Sequence, residues 1–94
     1  MPSSNDDATL SNVTASLTAV TLFSAGSGIS TRQVTNDTVT GVLYLKYGSG
    51  ASATSYTSRV DPLGYFECPQ PCFQGQITGI WTVADGTARC TEVS

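Results

Sequence analysis

Apolar and polar residues alternate along most of this chain with the two-residue period of a β-strand, and no stretch sustains the 3.6-residue period of a helix. The clearest segment is Val42-Leu43-Tyr44-Leu45-Lys46-Tyr47. Leu43, Leu45 and Tyr47 share one face, and Val42, Tyr44 and Lys46 share the other. The run from Ser55 to Val60 resumes the pattern, with Tyr56, Ser58 and Val60 opposite Thr57 and Arg59. Upstream, the eleven residues from Val13 to Phe23 are rich in β-branched and apolar side chains and predict one or two strands. A helix would gather Val13, Leu17 and Val20 on one side, but the threonines and the missing caps oppose it.

Punctuation between these runs completes the outline. Arg32 to Asp37 predicts a short strand ending at the turn-prone pair Asn36-Asp37, and Asp61-Pro62-Leu63-Gly64 a turn before a strand over Tyr65 to Cys68. Pro69 and Pro71 cannot donate ladder hydrogen bonds, so Cys68-Pro69-Gln70-Pro71-Cys72 reads as a loop or a sheet edge. The last two runs, Gly75 to Trp81 and Thr87 to Val93, read as a hairpin closed at Asp85-Gly86. Seven or eight short strands without a helix predict an all-β fold, a small antiparallel β-sandwich or jelly roll. Residues 1–12 are polar and carry little to bury, so they read as a flexible N-terminal arm ahead of a single domain over residues 13–94. Within the arm, Ala8, Thr9, Leu10, Ser11 and Asn12 form the segment expected to order on a partner, as a strand added to its sheet edge.

Composition narrows the functions. Charged residues are 12% of the 94, and Ser and Thr exceed a quarter, which gives a surface of hydroxyls. The net charge is −3, and Arg32, Lys46, Arg59 and Arg89 are scattered along the chain. Without a basic patch to displace counterions, neither nucleic acid nor an anionic membrane is the expected partner. No apolar run approaches the roughly 20 residues of a membrane helix, and the opening residues lack a signal peptide, so synthesis in a host cytoplasm is expected. A chain this short has a limited core, which makes self-association into a dimer or trimer an expectation.

Candidate chemistry is sparse. The chain has no His, which removes the commonest general base and metal ligand. Asp61, Glu67, Asp85 and Glu92 show no spacing that marks a paired acid and base. Cys68, Cys72 and Cys90 are an odd number, so one intramolecular disulfide at most can form among them. Three thiols fall short of a closed zinc site unless Glu67 contributes, and no metal or cofactor is expected. No enzymatic activity is expected either. Tyr44, Tyr65, Phe66, Phe73 and Trp81 are candidates for core or interface, and an exposed Trp81 would suit a carbohydrate-binding platform.

Four pieces of the chain, L-Y-L-K-Y-G-S-G-A-S-A-T-S-Y-T, G-Y-F-E-C-P, G-Q-I-T-G-I-W and A-D-G-T-A-R-C-T-E, together resemble a family of short structural proteins encoded among tailed-phage and prophage virion genes. The resemblance runs from about Val13 to Val93. It implies a virion component, first a capsid cement or decoration protein on the capsid surface that binds the major capsid protein and stabilises the assembled shell. The alternatives are a neck, tail or fibre component and a carbohydrate- or receptor-binding module. In that family the positions of Cys68, Cys90 and Ser58 are usually aliphatic and the loop holding Gln70 to Phe73 is shorter. This implies inward-facing Cys68 and Cys90 and, from it, either a Cys68–Cys90 or a Cys72–Cys90 bridge across the final hairpin, or free buried thiols.

Overall fold

The computed structural model describes residues 7–94. Eight strands follow one another: β1 (Ala8–Thr14), β2 (Val20–Phe23), β3 (Thr31–Asp37), β4 (Leu43–Tyr47), β5 (Ser58–Val60), β6 (Tyr65–Glu67), β7 (Ile77–Trp81) and β8 (Thr87–Val93). They form two antiparallel four-stranded sheets, ordered β1-β8-β3-β6 and β2-β7-β4-β5, packed as the expected β-sandwich.

The alternation in the sequence decides which residues lie between the sheets. Leu43 and Leu45 of β4, Ile77 and Trp81 of β7, and Val60 of β5 are buried, and they meet Val34 of β3 with Ala88 and Cys90 of β8 in one core cluster. Ile29, Cys68 and Cys72 form a smaller cluster under the loop after β6, joined to the first through Tyr47, Phe66 and Phe73.

Two expectations change. Residues 1–6 of the expected arm lie outside the described residues, but Ala8 to Asn12 are not free: they belong to β1, paired in register with β8 from Ala8↔Val93 to Thr14↔Thr87. Their polar, unpatterned sequence reads as a loose end because the ordering force is main-chain hydrogen bonding, which side-chain pattern does not report.

Nor do β7 and β8 form a hairpin. They sit in opposite sheets, and residues 82–86 carry the chain across the sandwich. The turn residue is real, since Gly86 has φ +98° and a Cβ there would lie 2.6 Å from the Asp37 carbonyl oxygen. However, β7 pairs with β2 and β4 while β8 pairs with β1 and β3, so a local turn signal fixed the bend and not the partner. Only β4 and β5 pair as sequence neighbours.

Of the alternatives expected for the cysteines, the structure has free buried thiols at Cys68, Cys72 and Cys90. Cys90 pairs across to Val34, and Cys68 follows β6 on the far side of β3, with its N–H donating to the Arg32 carbonyl. Two strand spacings, roughly 10 Å, separate their backbones, beyond the reach of a disulfide. Cys72 lies in the smaller cluster, away from Cys90.

Strand β3 carries two buried polar side chains on the same face as Val34. Near one end, Arg32 is fully buried; its Nε donates to Glu92 Oε2 at 2.9 Å, Nη1 to the carbonyls of Phe73 (2.7 Å) and Gly75 (2.6 Å), and Nη2 to that of Ser24 (2.7 Å). The guanidinium also lies 5.2 Å from the Phe23 ring centroid. Near the other end, Asn36 Nδ2 donates to the carbonyls of Gly41, Val60 and Asp61, and Asn36 Oδ1 accepts the Trp81 indole N–H at 3.0 Å. β3 ends at the Asn36-Asp37 pair as expected, and Asn36 there faces the core.

Removing the guanidinium leaves one carboxylate and three carbonyls without their donor. Arg32→Met is expected to cost about 3–5 kcal/mol of folding stability, read from urea unfolding at neutral pH. A loss below about 1 kcal/mol would show that Arg32 does not organise this end of the molecule.

Candidate functional site

Strand direction sorts the connections into two groups. The loops β1–β2 (residues 15–19), β3–β4 (38–42), β5–β6 (61–64) and β7–β8 (82–86) gather at one end of the sandwich, because Thr14 and Asp37 both register with Thr87, and Leu43 registers with both Val60 and Trp81. Main-chain hydrogen bonds tie these loops to one another: Ala15 N–H to Gly86 O, Leu63 N–H to Thr38 O, Thr82 N–H to Val42 O and Trp81 N–H to Ser16 O. Asn36 adds the bonds to Gly41, Val60 and Asp61 from below.

Each of the four loops then turns one aliphatic side chain to solvent. Leu17 is 60% exposed, Val39 73%, Leu63 63% and Val83 42%. Leu63 also has φ +62°, a left-handed conformation that costs a Leu about 1–2 kcal/mol. A strained, exposed leucine among hydrogen-bonded loop tips is a feature that folding alone does not require. Asp61 and Asp85 are the charged residues of these loops, and Arg59 Nε lies 3.1 Å from Asp61 Oδ1. Sequence reading identified the Asp61-Pro62-Leu63-Gly64 turn but not this surface, since only the topology brings the four loops to one end.

The residues singled out from sequence are dispersed. Trp81 is core, with its indole N–H held by Asn36, so its ring is removed from any sugar-stacking platform. Phe66 and Phe73 pack at the junction of the two clusters, where Phe73 stacks on Tyr47 at 4.3 Å between centroids. Tyr44 lies on the outer face of its sheet against Tyr56, 4.8 Å between centroids, and Tyr65 is exposed, its hydroxyl donating to Glu67 Oε1. The carboxylates are likewise apart: Glu92 on Arg32, Asp37 on Arg89, Asp61 on Arg59. Among the described residues, no three or more Cys, Asp or Glu converge on a point where a metal ion would fit.

A further group of polar contacts surrounds Cys68. Its sulfur lies 3.2 Å from the Tyr47 hydroxyl and accepts the Phe73 N–H at 3.2 Å, while the Cys72 thiol donates to the Phe73 carbonyl. Burial, reinforced by Cys68, pushes the Cys72 thiol up to about 12 and raises Tyr47 as well. Burial alone takes Cys90 to about 11. These are thiols held in their neutral form, the opposite of an activated nucleophile.

No protein-family model, curated protein or solved structure matches the chain.

The raised thiols set an alkaline limit on stability. A thiol whose folded pKa exceeds its ordinary 9.0 stabilises the fold fully below pH 9 and loses that contribution as pH climbs through the folded value, near 11 for Cys90 and 12 for Cys72. Under reducing conditions, stability in urea is expected to fall between pH 9 and 11, by up to about 1.4 kcal/mol per pH unit for each thiol. Cys90→Val should flatten part of that slope, and an unchanged slope would contradict the assignment to Cys90.

Proposed function

We propose that this chain is a virion structural protein, a capsid cement protein that docks on the assembled shell through the apolar end formed by Leu17, Val39, Leu63 and Val83. The observation that carries the reading is that end itself: four separate loops, cross-bonded into one rigid platform, each exposing an aliphatic side chain. Exposed apolar groups on a hydroxyl-rich surface of low charge mark a protein-binding surface more often than a site of chemistry. The step from a docking domain to a capsid rests on the resemblance of the sequence to phage virion proteins. A domain that binds only the assembled lattice stabilises it by mass action, about 2.7 kcal/mol per site at a hundredfold excess over Kd, without moving parts or cofactors. The major capsid protein is the proposed partner, and the capsid surface the proposed location.

Leu63 separates folding from binding. Asn tolerates the left-handed conformation, so Leu63→Asn is expected to keep or raise thermal stability, by about 1 kcal/mol at most, while removing the apolar contact and weakening attachment to purified shells at least tenfold. Co-sedimentation with capsids measures the second effect. A shell reconstruction from the phage that encodes this chain, with no density for the fold on the capsid, would overturn the reading; density only on the portal axis would move it to the neck or tail.

A further inference from the structure

Among the described residues, strand β1 is an edge strand of seven residues with neighbours on one side only. The other edges are short: β2 has four residues and a register shift between Thr21 and Phe23, and β5 and β6 have three residues each. Natural sheets guard long edges with lysine, proline, bulges or inward-facing charge, and β1, Ala-Thr-Leu-Ser-Asn-Val-Thr, has none of these. It also overhangs the second sheet. Thr9 and Ser11 face inward yet are exposed, above a groove of about 290 Å³ that Phe23, Ser24 and Glu92 also line. Of the seven side chains only Val13 packs on the core, and Leu10 is 75% exposed. A strand so placed is held by its ladder to β8 and leaves half of its main-chain groups unpaired within the sheet.

The ladder shows which half. Asp7 O accepts from Ser94 N–H and Ala15 N–H donates to Gly86 O, and both pairs continue the β1–β8 register. The odd-numbered residues therefore direct their N–H and C=O groups towards β8. Ala8, Leu10, Asn12 and Thr14 direct theirs outward.

We propose that this edge is a homodimer interface, in which β1 of a second copy pairs antiparallel about a twofold axis at Ser11 and joins the two β1-β8-β3-β6 sheets into one eight-stranded sheet. This register is the one that uses every outward group. It sets Ala8 opposite Thr14 and Leu10 opposite Asn12 of the second copy, and each such pair exchanges two main-chain hydrogen bonds. It also keeps inner and outer faces continuous, because residues of equal parity meet.

Self-pairing is favoured over an unrelated strand by what β1 contains. No residue from Ala8 to Thr14 is charged, so two copies of a chain with net charge −3 meet along a neutral line. The two Asp7 residues fall at opposite ends of the ribbon. Leu10 of each copy comes within diagonal reach of the other across the axis, which covers the most exposed apolar side chain of the described residues. The inference is independent of where in a particle the chain resides.

Proline makes a selective test, because the Asn12 N–H points away from β8. Asn12→Pro preserves the β1–β8 ladder but removes one donor from each copy and sets a ring in the interface. Sedimentation velocity of the full chain across a concentration series is expected to show a dimer. In Asn12→Pro the dissociation constant should weaken about a hundredfold, roughly tenfold for each of the two symmetry-related donors, with the circular dichroism spectrum unchanged. Amide exchange on the unmodified chain gives a second readout: the N–H groups of Leu10 and Asn12 should gain protection with rising concentration, while those of Ser11 and Val13, bonded to β8, should not change. A chain that stays monomeric at high micromolar concentration overturns the proposal. So does a dimer that Asn12→Pro leaves intact, or one that leaves exchange at Leu10 and Asn12 unaltered.

Discussion

The fold depends on a buried cation. Arg32 takes a full positive charge into the interior, and the burial is tolerable because the guanidinium fork meets a carboxylate and three main-chain carbonyls, with the Phe23 ring against it. Those carbonyls belong to residues 24, 73 and 75, segments that lead out of β2 and into β7, so one side chain of the first sheet fixes loops attached to the second. Asn36 does the same at the opposite end of β3 with the carbonyls of residues 41, 60 and 61 and the indole of Trp81. Between them sits Val34, fully buried. A single strand thus clamps both ends of the sandwich, with the apolar core filling the span.

This arrangement suits a domain whose apolar content is limited. Hydrophobic residues are 39% of the chain, several of them on the surface, so the core is thin, and loop order comes from hydrogen bonds to buried donors rather than from burial of the loops. Rigid loops can then display apolar tips at little entropic cost, since their backbones are already ordered in the free protein. The end that carries Leu17, Val39, Leu63 and Val83 and the open edge at β1 are separate surfaces. In the antiparallel pairing proposed at β1 the Thr14 end of one copy meets the Ala8 end of the other, so the two loop ends would face opposite ways and each would engage its own partner.

Much of the strand content was legible from side-chain period. Leu43 and Leu45 fall inside as their alternation requires, and Ser58, Val60 and Tyr65 to Glu67 lie in strands where expected. Arg32 and Asn36 share the parity of Val34 and so could have been placed inward, but charge and turn propensity argued the other way. What overrode those preferences is a set of partner carbonyls some 5 to 43 residues away in sequence.

The sequence by itself determined that the chain is all-β, which residues alternate to a common face, and where the backbone must bend. Tertiary structure alone decided the pairing: β1 with β8 instead of a free arm, β8 across from β7 instead of beside it, and β3 between Cys68 and Cys90 where a bridge would have needed them adjacent. The physical reason is that period and turn propensity are local properties of a strand, whereas its neighbours are chosen by main-chain ladders and buried polar contacts between distant segments. The four apolar loop tips follow from the same cause, for they become one surface only when the pairing places their loops at one end.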